Sequence, residues 1–575
     1  MNFIKTVFGS CLGFILGSIV LFFIALFLIL GIALSLKNPV KDVSSSSVLK
    51  ISFTGDIPEY TEEDPFNLAE MMMEENPTSL ETILKAIKIA TKSDQIKAIY
   101  LDIDYLTAGY GTLSEIRDAL QHFQETGKSV IAYSGNYSQR AYFLASVADV
   151  IVLNPLGSVD VKGFASIKDY PKPLYDKLGI EFQLFRVGKY KSAGEKYLTN
   201  YQSAEDSLQT MEYLKGMWEV VSKNVCFDRI LIPEQLDNIA NEATMFKTAE
   251  EVKAMSLVDV LMYHDEVKGL LAITLNSKLD DVEFCSPEDL VGNNLAMMKK
   301  NQIAVLYAVG EIDGISLMSD EGIVSEELCD QIEEVAENDS IKAVVLRVNS
   351  PGGSAYGSEQ IWHAVSQLKT TKPVVVSMGD YAASGGYYIA CNADYIYAQP
   401  ATITGSIGVF GVYPSFEKLM NQVGVNMSVN TTHNHSDLAT SVHRSLTDEE
   451  KQMIQSSVNH MYDVFLNRCS NGRNINMDVM QEIAQGRVYA SEKALDLNLI
   501  DEVGYMYNAI EKAAELAELT SCDYSVRTYR KSYFDRLMES FKSSISSVSF
   551  VKNICERKAW EELYLPQNMI RAEME

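Results

Sequence analysis

Short β-branched runs recur along the chain and alternate with longer stretches in which apolar residues return every three or four positions. "KAVVLRVN", "KPVVVSMG" and "DYIYAQ" are of the first kind, short and rich in residues that suit a pleated sheet. "SEQIWHAVSQLKTT" and "SLTDEEKQMIQSSVNHMYDVFLNR" are of the second kind and predict amphipathic helices. In the latter, Ser445 or Thr447 is a candidate N-cap, followed by acidic residues that suit the positive end of the helix dipole. Strands alternating with helices predict βαβ units, a mostly parallel sheet and an α/β fold. Functional residues in such sheets gather at the carboxyl ends of strands.

The pattern occurs twice. "IKAIYLDID" begins at Ile96 and "IKAVVLRVN" at Ile341, while "ADVIVLNP" ends at Pro155 and "ADYIYAQP" at Pro400. Gly179 of "YDKLGIEF" matches Gly424 of "MNQVGVNM". All share one offset, since 341 − 96, 400 − 155 and 424 − 179 each equal 245. "ISFTGDI" and "LYAVGEI" match at 310 − 55 = 255, so the first copy carries about ten extra residues before Ile96. The expected organisation is a first repeat over 46–275, a polar linker over 276–299, a second repeat over 300–515 and a tail over 516–575.

Residues 1–45 are different in kind. From Thr6 to Leu36 no residue is charged, and "LGFILGSIVLFFIALFLILGIALSL" exceeds the roughly 20 apolar residues that cross a bilayer. It also exceeds the roughly 7–15 apolar residues of a signal-peptide core, so a retained single-span anchor is expected in place of a cleaved leader. Gly9, Gly13 and Gly17 share one helical face. Lys5 on one side and Lys37 and Lys41 on the other leave orientation undetermined by charge.

With 77 acidic and 49 basic residues, a formal net charge of −28 and no basic stripe, the chain is a poor partner for nucleic acid. Its 8 cysteines include no C-x-x-C pair, and His433 and His435 lie in a polar "THNHS" that reads as a loop, so no metal or other cofactor is predicted.

Candidate chemistry falls in the second repeat. "RVNSPGGSAYGSEQ" follows one strand and "MGDYAASGGYYIAC" the next. Alone, the first reads as a turn and the second as close helix packing. Together, on successive strands, they suit acyl transfer. Ser384 is the candidate nucleophile, one backbone donor would come from the Gly352–Gly353 turn and another from Gly385 at the start of a helix. Under the offset, Ser384 faces Gln139, Gly385 faces Arg140 and Gly353 faces Ala108. The first repeat keeps the strands without the small residues, so the glycines read as functional.

A serine nucleophile needs a base. Neither glycine motif holds a histidine, and His363, on the helix after SPGG, suits a surface role better. A lysine desolvated in an apolar pocket loses basicity and can take the serine proton. "FRVGKYKSAGEKY" in the first repeat offers Lys189, Lys191 and Lys196, facing Asn434, Ser436 and Ser441 in the second. Each repeat holds what the other lacks.

"RVNSPGGS", "AASGGYY", "TGSIGVFGV" and "RVGKYKSAGE", in a tandem repeat behind one apolar segment, resemble the long form of bacterial signal peptide peptidase A. The resemblance covers nearly the whole chain after the anchor. It implies a Clp-protease- or crotonase-like fold and a serine–lysine dyad shared between the repeats. By motif, Ser384 is then the nucleophile, Lys191 the general base and Ser406 the residue orienting its amine. Gly353 and Gly385 supply the oxyanion donors, with Gly352 as the neighbouring possibility. The resemblance further implies a homotetrameric bowl at the cytoplasmic membrane, its body on the extracytoplasmic side, cleaving spent signal peptides and similar apolar peptides. A crotonase-like acyl-CoA enzyme and a non-catalytic membrane scaffold are the competing readings. Neither accounts for an accessible serine with a complementary lysine in the other repeat. The tail from Thr520, with amphipathic basic stretches, suits helical packing first and a membrane surface second.

Overall fold

The computed structural model describes residues 42–61 and 77–529, apart from 46, 295–297, 315–321 and 439–441, together with Gly13, Gly17, Ser18 and Leu21. Beyond those four positions, the apolar run read as an anchor lies outside the described residues, as does the tail after Tyr529. Among the described residues no helix is long and apolar enough to cross a membrane.

The first repeat supplies β1 (Val48–Gly55), β2 (Ala98–Leu106), β3 (Ser129–Tyr137), β4 (Val150–Val159), β5 (Glu181–Arg186), β6 (Val260–Leu261) and β7 (Phe284–Cys285). All but β5 form one sheet in the order β6-β4-β3-β2-β1-β7, and every pairing in it is parallel. Its strands read as apolar runs because helices cover both faces. The helices needed below are α1 (Tyr110–Gln124), α2 (Gln139–Ala145) and α3 (Val267–Thr274).

The second repeat follows the same plan with β8 (Asn301–Val309), β9 (Ile341–Ser350), β10 (Val374–Ala383), β11 (Tyr395–Ala398), β12 (Ile403–Gly405), β13 (Phe410–Ser415), β14 (Val488–Ala490), β15 (Glu502–Val503) and β16 (Tyr524–Thr528). Its sheet runs β14-β12-β10-β9-β8-β16, with β11 pairing β10 and β15. Only β12–β14 is antiparallel. Its helices include α4 (Ala355–Leu368), α5 (Gly385–Ala390), α6 (Asp448–Arg473) and α7 (Met506–Leu516). Thr447 caps α6: its hydroxyl accepts from Glu450 N at 3.2 Å, while its own N–H donates to the Glu450 carboxylate at 2.8 Å.

Two segments differ from the sequence expectation. The stretch read as a linker completes the first sheet, with Phe284–Cys285 lying parallel to Val48–Leu49 and Leu290 of the helix Pro287–Asn293 buried in the core. The start of the tail does the same for the second sheet, where β16 runs parallel to β8. Two paired residues between polar neighbours carry no readable period, so such an edge shows only when its partner strand is in place.

The repeats are joined across their boundary. β5 of the first pairs antiparallel with β13 of the second, from Phe410 opposite Arg186 to Ser415 opposite Glu181. This two-stranded ribbon brings the segment after Arg186 beside the loops of the second sheet.

Candidate active site

At the carboxyl end of β10 the chain turns sharply into α5, and Ser384 is the hinge, with φ 56° and ψ −117°. Left-handed backbone at a residue with a Cβ costs about 1–3 kcal/mol. Two hydrogen bonds hold it: Ser384 N donates to Gly405 O at 2.9 Å, and Ser384 O accepts from Tyr388 N at 2.9 Å. The small residues have a steric cause. A Cβ on Gly385 would lie 2.5 Å from Ser358 Oγ, and one on Gly386 would lie 2.6 Å from Ser350 O. Helix α5 therefore sits directly against the turn after β9, with the hydroxyl at its entrance.

That turn faces the start of α5, since a Cβ on Gly352 would come within 2.6 Å of Gly385 N. Gly353 has φ +152°, and a Cβ there would lie 2.2 Å from Ile312 O, so only glycine fits. Among the described residues the N–H groups of Gly353 and Gly385 donate to no protein acceptor. The Gly352 N–H does not belong with them, because it donates to Ser350 Oγ at 3.1 Å. Gly352 thus provides close approach, and the pair of free donors is Gly353 with Gly385.

Lys191 reaches this point from the first repeat of the same chain. Its Nζ lies 2.9 Å from Ser384 Oγ, 3.0 Å from Ser406 Oγ and 3.2 Å from Ser406 O. Burial pushes the amine down to about 8. Its stem is enclosed: a Cβ on Gly486 would lie 2.6 Å from Lys191 Cβ, and one on Gly408 would lie 3.3 Å from Lys191 Cδ. The Phe410 ring stands 5.9 Å from Nζ. The backbone around the lysine is laced to the second repeat through Val187 N to Val409 O (3.1 Å) and Tyr190 N to Gln485 O (3.0 Å). The two second-repeat segments that enclose it are tied to each other by Gly486 N to Ile407 O (2.7 Å) and Ser406 N to Arg487 O (2.7 Å).

The other candidates fall away from this centre. Lys189 is exposed, with its amine over the Tyr190 ring, and Lys196 lies over Tyr197. His363 is on the exposed face of α4. In the first repeat the counterpart position is filled. Gln139 donates to Tyr110 Oη at 3.1 Å and Gly163 O at 3.0 Å, and its Oε1 accepts from Lys162 N and Gly163 N at 2.9 and 2.8 Å. Gly408 and Gly486 were not legible as site residues. Gly408 sits inside "TGSIG", but Gly486 in "AQGRVY" has no local signal, and its role exists only where the two repeats meet.

Comparison with known proteins gives the relationships of this arrangement. Residues 122–278 and 366–520 match the family described as peptidase family S49, and residues 305–403 match Clp protease. Protease 4 of Haemophilus influenzae is 36% identical over 519 residues, covering 86% of this chain and 82% of that protein. The chloroplastic serine protease SPPA of Arabidopsis thaliana is 30% identical over 447 residues, covering 75% of this chain and 64% of that one. A putative signal peptide peptidase SppA of Enterococcus faecium is 31% identical over 236 residues, 40% of this chain and 67% of that protein.

Proposed function

Because the chain belongs to peptidase family S49 and is a serine-type peptidase, we propose that it works through a Ser384–Lys191 dyad on apolar peptides, cleaved signal peptides among them. The observation that carries this reading is the 2.9 Å approach of a buried lysine amine to the hydroxyl of a strained turn. A neutral amine has two N–H groups and one lone pair. Ser406 O and Oγ accept the two N–H groups, which leaves the lone pair for the Ser384 O–H. As Ser384 Oγ bonds to the scissile carbonyl carbon, its proton passes to Lys191. The carbonyl oxygen, now an anion, accepts from Gly353 N–H and Gly385 N–H, each donor lowering the barrier by about 3 kcal/mol. The ammonium then returns its proton to the departing amine, and water releases the acyl group by the same route.

Apolar substrates are favoured by Phe410, whose ring stays 40% exposed beside the lysine amine. The similarity to a putative signal peptide peptidase of Enterococcus faecium supports the same reading. The test is hydrolysis of an apolar peptide ester together with labelling by a peptidyl phosphonate. Wild type is expected to turn over and to carry the label on Ser384. Labelling at another serine, or turnover by Ser384→Ala, would sink the reading.

The proposal extends to a chain anchored by residues 6–36 in a bacterial cytoplasmic membrane, with its body on the extracytoplasmic side as a homotetramer. What favours assembly is a mismatch between the repeats. The positions matching β5 in the second repeat (181 + 245 = 426 to 186 + 245 = 431) are exposed and unpaired. So are those matching β13 in the first repeat (410 − 245 = 165 to 415 − 245 = 170), of which only Tyr170 is half-buried. Helix α1 is largely buried along the face where α4 leaves Tyr356 74% exposed. These unmatched edges support a head-to-tail contact between one copy's second repeat and the next copy's first repeat, which forms a ring where the rotation per copy closes. Detergent extracts of the membrane fraction are expected to sediment as four copies, and Tyr356→Glu as fewer. A wild-type monomer in those extracts, or chain found wholly outside the membrane fraction, would overturn this part.

A further inference from the structure

Four residues before Ser384, the Asp380 carboxylate of β10 is seated in the first turn of α1, a helix of the other repeat. It accepts from Gly111 N at 2.7 Å, Thr112 N at 3.2 Å and the Thr112 hydroxyl at 2.7 Å. The seat is cut to fit. A Cβ on Gly109, the N-cap of α1, would lie 2.1 Å from the Asp380 carboxyl, and one on Gly111 would lie 2.3 Å from Gln399 Oε1. Under the 245 offset, Gly109 corresponds to Ser354, which caps α4 beside the Gly352–Gly353 turn (109 + 245 = 354). The helix start that borders the candidate oxyanion donors in the second repeat instead receives a carboxylate in the first.

One turn further along α1, Glu115 accepts from Arg347 Nη2 at 3.1 Å, from Met506 N at 2.7 Å and from Gln399 Nε2. Arg347, fully buried on β9, also donates to Glu59 at 3.0 and 3.1 Å and to Ser377 Oγ at 2.9 Å. Asn349 closes the network, donating to Glu59 at 2.9 Å and accepting from Tyr381 N at 3.1 Å. Both strands that lead to the site, β9 to Gly353 and β10 to Ser384, are therefore tied to the repeat that carries Lys191. The ties differ in kind. Arg347 answers Glu59 and Glu115 with one guanidinium. Among the described residues Asp380 has no ion-pair partner and rests on the helix start, where aligned N–H groups favour an anion. Burial pushes the Asp380 carboxyl up, the Thr112 hydroxyl bond pulls it down, and the neighbouring Glu59 carboxylate raises it again.

We propose that Asp380 is a positioning residue, whose seat in α1 holds the strand bearing Ser384 at its working distance from Lys191. The inference rests on the dyad reading above. A displacement of about 1 Å at a reacting pair costs on the order of 100-fold in rate. A group that merely held the fold together would change the amount of active protein and leave each intact site unaltered.

The test is the full chain with Asp380→Ala, Asp380→Asn and Thr112→Val, each active-site-titrated with the phosphonate and assayed on the peptide ester. Asp380→Ala is expected to lose about 100-fold in kcat per titrated site, with KM changed by less than about threefold. Asp380→Asn keeps an acceptor for both N–H groups and is expected to recover most of the loss. Thr112→Val removes one of the three donors and is expected to lower kcat several-fold without unfolding the chain. A wild-type kcat per titrated site in Asp380→Ala would overturn the proposal, whatever its thermal stability. If that variant does not fold, an unchanged kcat in Thr112→Val would overturn it equally. Failure of wild type to label at Ser384 would strike the dyad reading itself, a result distinct from either.

Discussion

Methionine in place of Lys191 is expected to lower kcat on an apolar peptide ester by about 10⁴-fold or more, as loss of the general base does in hydrolases with a serine nucleophile. The substitution suits the site. The stem of Lys191 runs between Gly408 and Gly486, and methionine fills nearly the same volume, so packing is kept while the amine is lost. Reduced turnover with an unchanged melting temperature would then report chemistry alone. The same amine sets the pH profile. Burial holds it at about 8, and only its neutral form has a lone pair for the Ser384 proton. Below about 8 the ammonium predominates and kcat/KM is expected to fall tenfold per pH unit; above it the profile is expected to level. A limb near the ordinary histidine value of about 6.5 would point to an imidazole base instead. Full activity in Lys191→Met would remove the lysine from the mechanism.

Alanine at Gly486, which abuts the Lys191 backbone and Cβ, is expected to cost about 100-fold or more in kcat. The residue has φ +76°, where a Cβ is strained by about 1–2 kcal/mol before any contact is counted. That Cβ would lie 2.6 Å from Lys191 Cβ and 2.7 Å from Lys191 N, atoms that no side-chain rotation can move aside. The backbone must shift instead. Gly486 N donates to Ile407 O and Arg487 O accepts from Ser406 N, so the shift reaches Ser406, whose two oxygens lie 3.2 and 3.0 Å from the amine. Gly408→Ala is the graded comparison. Its Cβ would meet Lys191 Cδ at 3.3 Å, a flexible part of the stem, although Gly486 Cα at 2.8 Å must also yield. The expected order of kcat per titrated site is wild type, then Gly408→Ala, then Gly486→Ala. The reverse order would show that the clasp around Lys191 does not govern its placement.

The alternation of short apolar runs with amphipathic helices, the doubling at an offset of 245 and the small residues around Ser384 were all legible from the sequence. Each is a local property. A strand, a cap such as Thr447 and a turn that needs glycine draw their requirements from residues a few positions away. The choice among Lys189, Lys191 and Lys196 was not local. From the residues alone the three are equivalent, and it was a motif resemblance that selected Lys191. The fold separates them by burial, leaving Lys189 in solvent and enclosing Lys191.

What the tertiary structure alone decided lies where the repeats meet. The Lys191–Ser384 contact joins residues 193 apart, the Asp380 seat joins residues 269 and 268 apart, and Gly486 presses on a lysine of the other repeat. The same holds for β7, whose two residues pair with β1 at the far end of its repeat, and for Gly352, whose N–H proved to be taken by Ser350. The chain's own order therefore determined the two halves of the chemistry and the backbone that displays each. Their distance, their dryness and hence the basicity of the lysine came from packing one half against the other, because desolvation and hydrogen-bond geometry depend on neighbours in space.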